Sequence, residues 1–361
     1  MWPPFSNKAV PAVPSAVEPR ALRAPRPLAV AYFLFFAALG ALMLAVSSLS
    51  PPPQANPLIG VELKLSQGQT PNVEQAASHN SRSLAGHLIS DPTLLEDSPL
   101  GPLPVIARDG RTPMRSFGGH IAGNDKEPRI AIVILGLNVG VTSTKAALAN
   151  LPAAITLGLS PFGSEAQNVV DRAREAGHEI LVEVPMEPFD FPESDPGPHA
   201  LLVAASAEEN LKRLQWSISR VTGFVGVTNL LGGRFLGEQN AIEPVLHETA
   251  RRGLLFFDDG ANASSLALTG ARHVKAPIAT GTFALDAIQT RDAVDKKLLE
   301  LEAEARRNGS AIGVGSVYPI TMSRVAEWAR SVESRGFALV PISALATVPL
   351  QETATTSDAR R

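Results

Sequence analysis

The sequence predicts an α/β body in which parallel strands alternate with covering helices, preceded by one transmembrane helix and a disordered tether. Three observations lead there. The tripeptides Glu175-Ala176-Gly177, Arg251-Arg252-Gly253, Arg307-Asn308-Gly309 and Ser334-Arg335-Gly336 each close a helical pattern, and an apolar run follows each of them. Glycine just past a helix end takes the left-handed conformation without Cβ strain, so the chain can turn directly into a strand. Helix and strand alternating in this way give a parallel sheet covered by helices. Residues 28–49 carry no charged side chain. Residues 50–128 are rich in Pro, Ser, Gly and Asn, with no sustained apolar period that would pack a core.

Composition narrows the function classes. A chain of 361 residues that is 45% hydrophobic and 19% charged has room for one large domain or two ordinary ones, with a real core. Cysteine is absent, which excludes disulfides, thiol catalysis and Cys-ligated metals and leaves an oxidising compartment permitted. Residues 1–27 hold Lys8, Arg20, Arg23 and Arg26 against Glu18, a balance of +3, so a net charge of −3 leaves −6 on the remainder. A body of that charge has no general attraction to nucleic acid.

Taken in order, residues 1–27 form a disordered cytoplasmic tail. Residues 28–49 have about the ~20 apolar residues a helix needs to cross a bilayer. A cleaved signal peptide is the rival, because Ala45 and Ser47 suit a peptidase, but the run exceeds the ~7–15 residues of a signal core. Basic residues precede the span, so the N-terminus is expected in the cytoplasm and the body outside. The expected location is the inner membrane, single-pass, with the C-terminal domain in the periplasm. The tether covers 50–128, within which Leu94-Leu95-Glu96-Asp97 and Leu103-Pro104-Val105-Ile106 can dock locally on the body.

The body runs over 129–348, with a disordered tail over 349–361. Residues 130–135 read as a strand, Thr142 or Ser143 as the cap of a short helix, and 154–159 as the next strand. Ser164 precedes a helix with Val169, Val170 and Ala173 on one face, ended by Gly177. Residues 180–184 form a strand. Ser206-Ala207-Glu208-Glu209 is a capping box for a helix whose apolar face is Leu211, Leu214, Ile218 and Val221. Strands follow at 224–227 and 254–257. Val294, Leu298, Leu301 and Ala305 line a further helix before a strand at 311–314. Val325, Trp328 and Val332 line the last helix before a strand at 338–342. Seven or eight such units suffice for a barrel and are also compatible with an open sheet.

In parallel α/β folds the functional groups cluster at the carboxyl ends of the strands. Those ends offer Gly136 to Asn138, Ser160-Pro161, Glu183, Glu187, Asn229, Asp258-Asp259 and Ser316. Glu183 and Glu187 are candidate catalytic acid and base if the mouth is partly dry; the alternative is a solvated carboxylate or an ion pair with Arg234 across the rim. Asp258 and Asp259 are candidate catalytic carboxylates, or the cap of the turn that follows. Asn229 suits hydrogen bonding to a sugar hydroxyl, or satisfaction within its own turn. His120, His178, His199, His247 and His273 fall in tether, helix-exit or helix positions, and no His-x-x-x-His pair occurs, which argues against a nitrogen-ligated zinc. His178, just past a helix-ending glycine, reads as structural. A hard cation held by Glu183, Asp258 and Asp259 is the one metal site these carboxylates allow. No cofactor is otherwise implied.

Several stretches carry a resemblance: Ile130-Ala131-Ile132-Val133-Ile134, Gly177-His178-Glu179-Ile180 with Pro185-Met186-Glu187-Pro188, and Gly226-Val227 with Asn229 and Arg234-Phe235. Gly253-Leu254 with Asp258 and Ser264-Ser265, and Ala311-Ile312-Gly313 with Tyr318-Pro319, complete the set. Over about 129–343 the chain resembles the divergent branch of the polysaccharide deacetylases. The resemblance implies a distorted (β/α) barrel and an ancestry in metal-dependent deacetylation of glycans. It also implies paired aspartates after the first strand, where Leu135 and Gly136 stand. Glu183 and Leu230 replace its two histidines, and Gly315-Ser316-Val317 replaces its late Gly-His-Pro. Asp258 and Asp286 fall on its acidic positions.

The expectation is a membrane-anchored periplasmic protein with a deacetylase-like barrel that has lost its metal site and acts by binding or regulating a cell-envelope glycan. Asn229, Arg234, Asp286 and Ser316 are its candidate ligand contacts. Two alternatives stand beside it: an active deacetylase or hydrolase with a rebuilt carboxylate site, and an envelope scaffold that uses the outer helices. No protein partner is legible.

Overall fold

The computed structural model describes residues 81–82, 88–119 and 127–348. The expected cytoplasmic tail (1–27), membrane span (28–49) and C-terminal tail (349–361), with much of the tether, lie outside the described residues. Among the described residues no helix is long and apolar enough to cross a membrane.

The principal strands are β1 (Arg129–Leu137), β2 (Thr156–Leu159), β3 (Ile180–Met186), β4 (Gly226–Leu231), β5 (Leu255–Asp258), β6 (Ile278–Thr280), β7 (Phe283–Ala284), β8 (Ser310–Ser316) and β9 (Ala338–Leu339). They form one parallel sheet in the order β6-β5-β4-β3-β2-β1-β8-β7, with β9 also paired to β1. The principal helices are α1 (Val141–Asn150), α2 (Ala166–Glu175), α3 (Ala207–Ile218), α4 (Gln239–Arg251), α5 (Ala267–Val274), α6 (Arg291–Asn308) and α7 (Pro319–Val332). The result is a half-barrel of parallel strands with alternating helices. Its two ends are consecutive in the chain, because β6 runs into β7 through Gly281 and Thr282. The Gly281 N–H donates to the Asp258 carbonyl and the Thr282 N–H to the Ile312 carbonyl, both at 2.8 Å, so one broken strand touches both edges. Only glycine permits this approach: a Cβ on Gly260 would lie 2.2 Å from the Gly281 carbonyl oxygen, and one on Gly281 2.2 Å from that of Asp259.

Strand alternation divides the core in two. Ile130, Ile132 and Ile134 of β1 pack outward with the helices, while Ala131 and Val133 pack inward with Leu181, Phe257 and Val314. The helix-ending glycines behave as expected, with φ of +89° at Gly177, +68° at Gly253, +79° at Gly309 and +82° at Gly336. Ser206 caps α3 by accepting the Glu209 N–H. The cap expected at Thr142 or Ser143 is corrected: α1 starts earlier, from Gly140, and the Ser143 hydroxyl donates back to the Gly140 carbonyl. The helix that Ser164 precedes starts at Ala166, with Glu165 at its cap position.

The tether expected over 50–128 is corrected for 88–119, which packs on the floor of the barrel, where the strands begin. Leu94, Ala107 and Phe117 enter the inner core. Arg252 is 2% exposed and ties the segment down: Nη1 donates to Glu96 Oε1 and to the Pro104 carbonyl, both at 2.8 Å, and Nε donates to Glu248 at 2.7 Å. The two stretches read as local docking points both take part, through Leu94 and Leu103.

Candidate functional site

The carboxyl ends of six strands open on one cavity of about 590 Å³. Leu135 and Gly136 reach it from β1, Glu183 from β3, Asn229 and Leu230 from β4, and Ser316 from β8, while Ser160 and Asp259 lie just past β2 and β5.

Glu183 lies at the bottom and is 2% exposed. It faces inward because it follows the inward Leu181 by two residues on the same strand. Its Oε1 accepts the Gly136 N–H at 2.5 Å. That donor is presented by a local irregularity: the register between β1 and β2 shifts between Ile134 and Leu137, and Gly136 adopts φ +91°. Burial pushes the Glu183 carboxyl up to about 7, against the lowering effect of the Gly136 hydrogen bond. Asp259 is also raised, by burial first and the Asp258 charge as well, against hydrogen bonds from the Ala261 N–H and the Asn229 side chain.

The other expected site residues divide by what their polar atoms do. Asn229 lines the cavity but is satisfied locally, donating from Nδ2 to the Leu231 carbonyl (2.7 Å) and accepting the Asp259 N–H (3.0 Å). Glu187 is turned away from the cavity: Arg234 Nη1 donates to its Oε1 (2.7 Å) and the Val203 N–H to its Oε2 (2.6 Å), which is the rim ion pair. Arg234 is engaged in that pair and does not line the cavity. Asp258 accepts the Gly260 N–H (3.0 Å) and the Ser265 hydroxyl (2.6 Å), holding the turn after β5. Asp286 accepts the Ser316 N–H (2.7 Å) and the Thr321 hydroxyl (2.9 Å), joining β8 to α7. Glu187, Arg234, Asp258 and Asp286 are thus placed as structural groups around the mouth, while Glu183, Asp259, Asn229 and Ser316 face it.

Sequence reasoning missed the rim. Val139, Phe189, Leu231 and Tyr318 line the cavity and are each at least 42% exposed. Phe189 and Tyr318 lie two residues beyond strand-end positions already singled out, so a wider window at each strand end would have found them. The described histidines stay outside the cavity. His178 is buried behind β3, its Nδ1 2.9 Å from the Ile155 carbonyl oxygen, and His199, in a turn rather than a helix, stacks on Trp216 at 3.6 Å.

A metal of the kind the resemblance implies does not fit these side chains. Leu135, Gly136 and Leu230 carry no ligand atom, and Asp258 is committed to its turn. Among the described residues no three His, Asp or Glu side chains are grouped so that they can hold an ion.

Residues 132–346 match the family described as divergent polysaccharide deacetylase. The chain is 24% identical over 205 residues to the Escherichia coli protein YibQ, a match covering 57% of this chain and 63% of that protein, less than two thirds of its length. The crystal structure of ATU2773 from Agrobacterium tumefaciens superposes with a TM-score of 0.67 at 41% identity, over 68% of this chain and 99% of that one. The catalytic domain of a peptidoglycan N-acetylglucosamine deacetylase from Eubacterium rectale aligns at 12% identity with a TM-score of 0.41, over 64% of this chain and 96% of that one. That last likeness is too remote to bear on activity.

Proposed function

This chain belongs to the divergent polysaccharide deacetylase family, and from that membership we propose that it binds a cell-envelope glycan at the mouth of its half-barrel without metal-dependent deacetylation. One observation carries the reading. Where metal-binding side chains are implied, the mouth holds Leu135, Gly136 and Leu230, and the carboxylate of Glu183 takes a backbone N–H. Those changes remove Lewis-acid chemistry from the strand ends while leaving an open cavity with aromatic and polar walls. Membrane anchoring through residues 28–49, with the body in the periplasm, belongs to the same proposal and rests on the charge and hydropathy of the N-terminal sequence.

A second reading has its own observation. Glu183 and Asp259 line one cavity and both are raised by burial, a pattern that also suits carboxylate acid–base hydrolysis without metal. One set of measurements separates the two. The purified chain is assayed for bound divalent metal, for acetate release from an N-acetylated glycan with and without chelator, and for retention on that glycan. Retention with sub-stoichiometric metal and no acetate is expected. Chelator-sensitive acetate release with stoichiometric metal would overturn the proposal, and chelator-insensitive release would establish the carboxylate hydrolase.

A further inference from the structure

Building on the glycan-binding reading, we propose that the mouth cavity selects an amino sugar whose amine is free, held as an ammonium ion, over its N-acetylated counterpart. Among the described residues the charged side chains lining the cavity are Glu183, Asp190 and Asp259, and no Lys, Arg or His lines it. The nearby Arg234 is engaged by Glu187 and leaves that acidic lining uncompensated.

The floor adds a second, independent observation. Glu183 is 2% exposed and receives one hydrogen bond, from Gly136 to Oε1. Among the described residues nothing donates to Oε2. Buried polar groups in native proteins are hydrogen-bonded, so a carboxylate oxygen left open on the floor of a cavity marks the place of a bound donor. An ammonium supplies three donors and no acceptor, which matches that open carboxylate oxygen. An acetamide supplies one N–H and brings a carbonyl oxygen and a methyl group, which would set an acceptor against carboxylates. Above this floor Phe189 and Tyr318 present aromatic side chains at the rim, 70% and 42% exposed. Such rings take the apolar face of a sugar ring and favour a cation close by.

The test titrates the purified full chain with a glucosamine tetramer and an N-acetylglucosamine tetramer, with tetralysine as a control for bulk charge. The free-amine sugar is expected to bind at least about tenfold more tightly than the acetylated one. Glu183→Gln, shown to be folded by a cooperative thermal transition, is expected to erase most of that ratio. If that variant does not fold, Asp259→Asn at the half-buried wall reads the same charge and is expected to lower the ratio. A ratio at or below one, or one unchanged in the folded variants, overturns the inference and leaves glycan binding standing. Tetralysine binding as tight as the glucosamine tetramer also overturns it, by assigning the preference to net charge. Failure of both sugars to bind overturns the inference and the glycan reading together.

Discussion

Two buried glutamates lie four residues apart, Glu179 just before the third strand and Glu183 midway along it, and their surroundings are opposite. Glu179, on the floor, is saturated. It accepts the Gly119 N–H (2.9 Å), the Ser343 N–H (3.0 Å), the Ser343 hydroxyl (2.5 Å) and the Thr156 hydroxyl (3.3 Å), with Arg174 nearby as counter-charge. Glu183, at the mouth, accepts a single N–H among the described residues. Burial alone therefore does not separate structure from site; the number of donors that the fold supplies does. Glu179 joins the N-terminal segment, the second strand and the C-terminal segment at one point. Its removal strands several buried donors at once, and Glu179→Ala is expected to cost about 3–5 kcal/mol. Denaturant unfolding measures it, and a loss as small as that of Glu183→Gln would break the contrast.

The pH dependence of stability sharpens the same comparison. Burial raises the folded-state pKa of Glu183 from the 4.5 of an unperturbed glutamate to about 7. The folded state thus holds this proton more tightly than the unfolded state. The stability it contributes is fully present below about pH 4.5 and is lost as pH rises through about 7. A shift of that size corresponds to about 3 kcal/mol. Glu179 is raised by burial as well, so the wild-type curve contains both groups. Subtracting the Glu183→Gln curve isolates the mouth: the stability of wild type relative to the variant should fall by about 3 kcal/mol between pH 4.5 and 7.5. A difference curve that stays flat would show that the mouth carboxyl is well solvated.

The same pair of residues marks what was legible in the sequence. The alternation of helix, glycine and apolar run fixes strand direction and the helix-covered layering, because each step is local. The packing of Gly177 to Glu179 was not legible as a lock, since its partners Gly119 and Ser343 lie 60 and 164 residues away. Residues 88–119 look like tether for a related reason. Their order depends on Arg252 and on isolated apolar residues such as Leu94 and Phe117, and neither has a period. At the mouth, strand-end reasoning found Glu183, Asp259, Asn229 and Ser316. It could not separate them from Glu187, Asp258 and Asp286, because that difference lies in which donors face each carboxylate. Phe189 and Tyr318 were missed because no periodicity marks a rim.

The floor is expected to be the more stable region, and the N-terminal segment tests how far that stability extends. Arg252 is fully buried among Glu96, Glu248 and the Pro104 carbonyl. Arg252→Met keeps much of the apolar stem but removes every donor. It is expected to lower stability by about 2 kcal/mol, below the loss at Glu179, because Glu96 can turn to water. Hydrogen exchange should rise first over 90–119 while the strands stay protected. Uniform loss of protection would mean that the segment and the barrel unfold as one unit.

The smallest expected effect has the opposite sign, and it belongs to the mouth. Leu231 ends the fourth strand with φ +61°, its side chain 47% exposed and lining the cavity. A leucine in the left-handed region costs about 1–2 kcal/mol, and an apolar side chain left in water recovers little of that by packing. The conformation is braced by the Asn229 side chain, which donates to the Leu231 carbonyl. Asparagine tolerates the same backbone, so Leu231→Asn is expected to raise stability by about 0.5–1 kcal/mol. It should also weaken sugar binding severalfold, because one apolar wall of the cavity is lost. Thermal unfolding and the glucosamine-tetramer titration measure the two on the same protein. A gain in stability with binding untouched would leave the strained rim without a part in recognition. The paired result, firmer but weaker-binding, would place the strain of this half-barrel at its mouth, where the ligand is held.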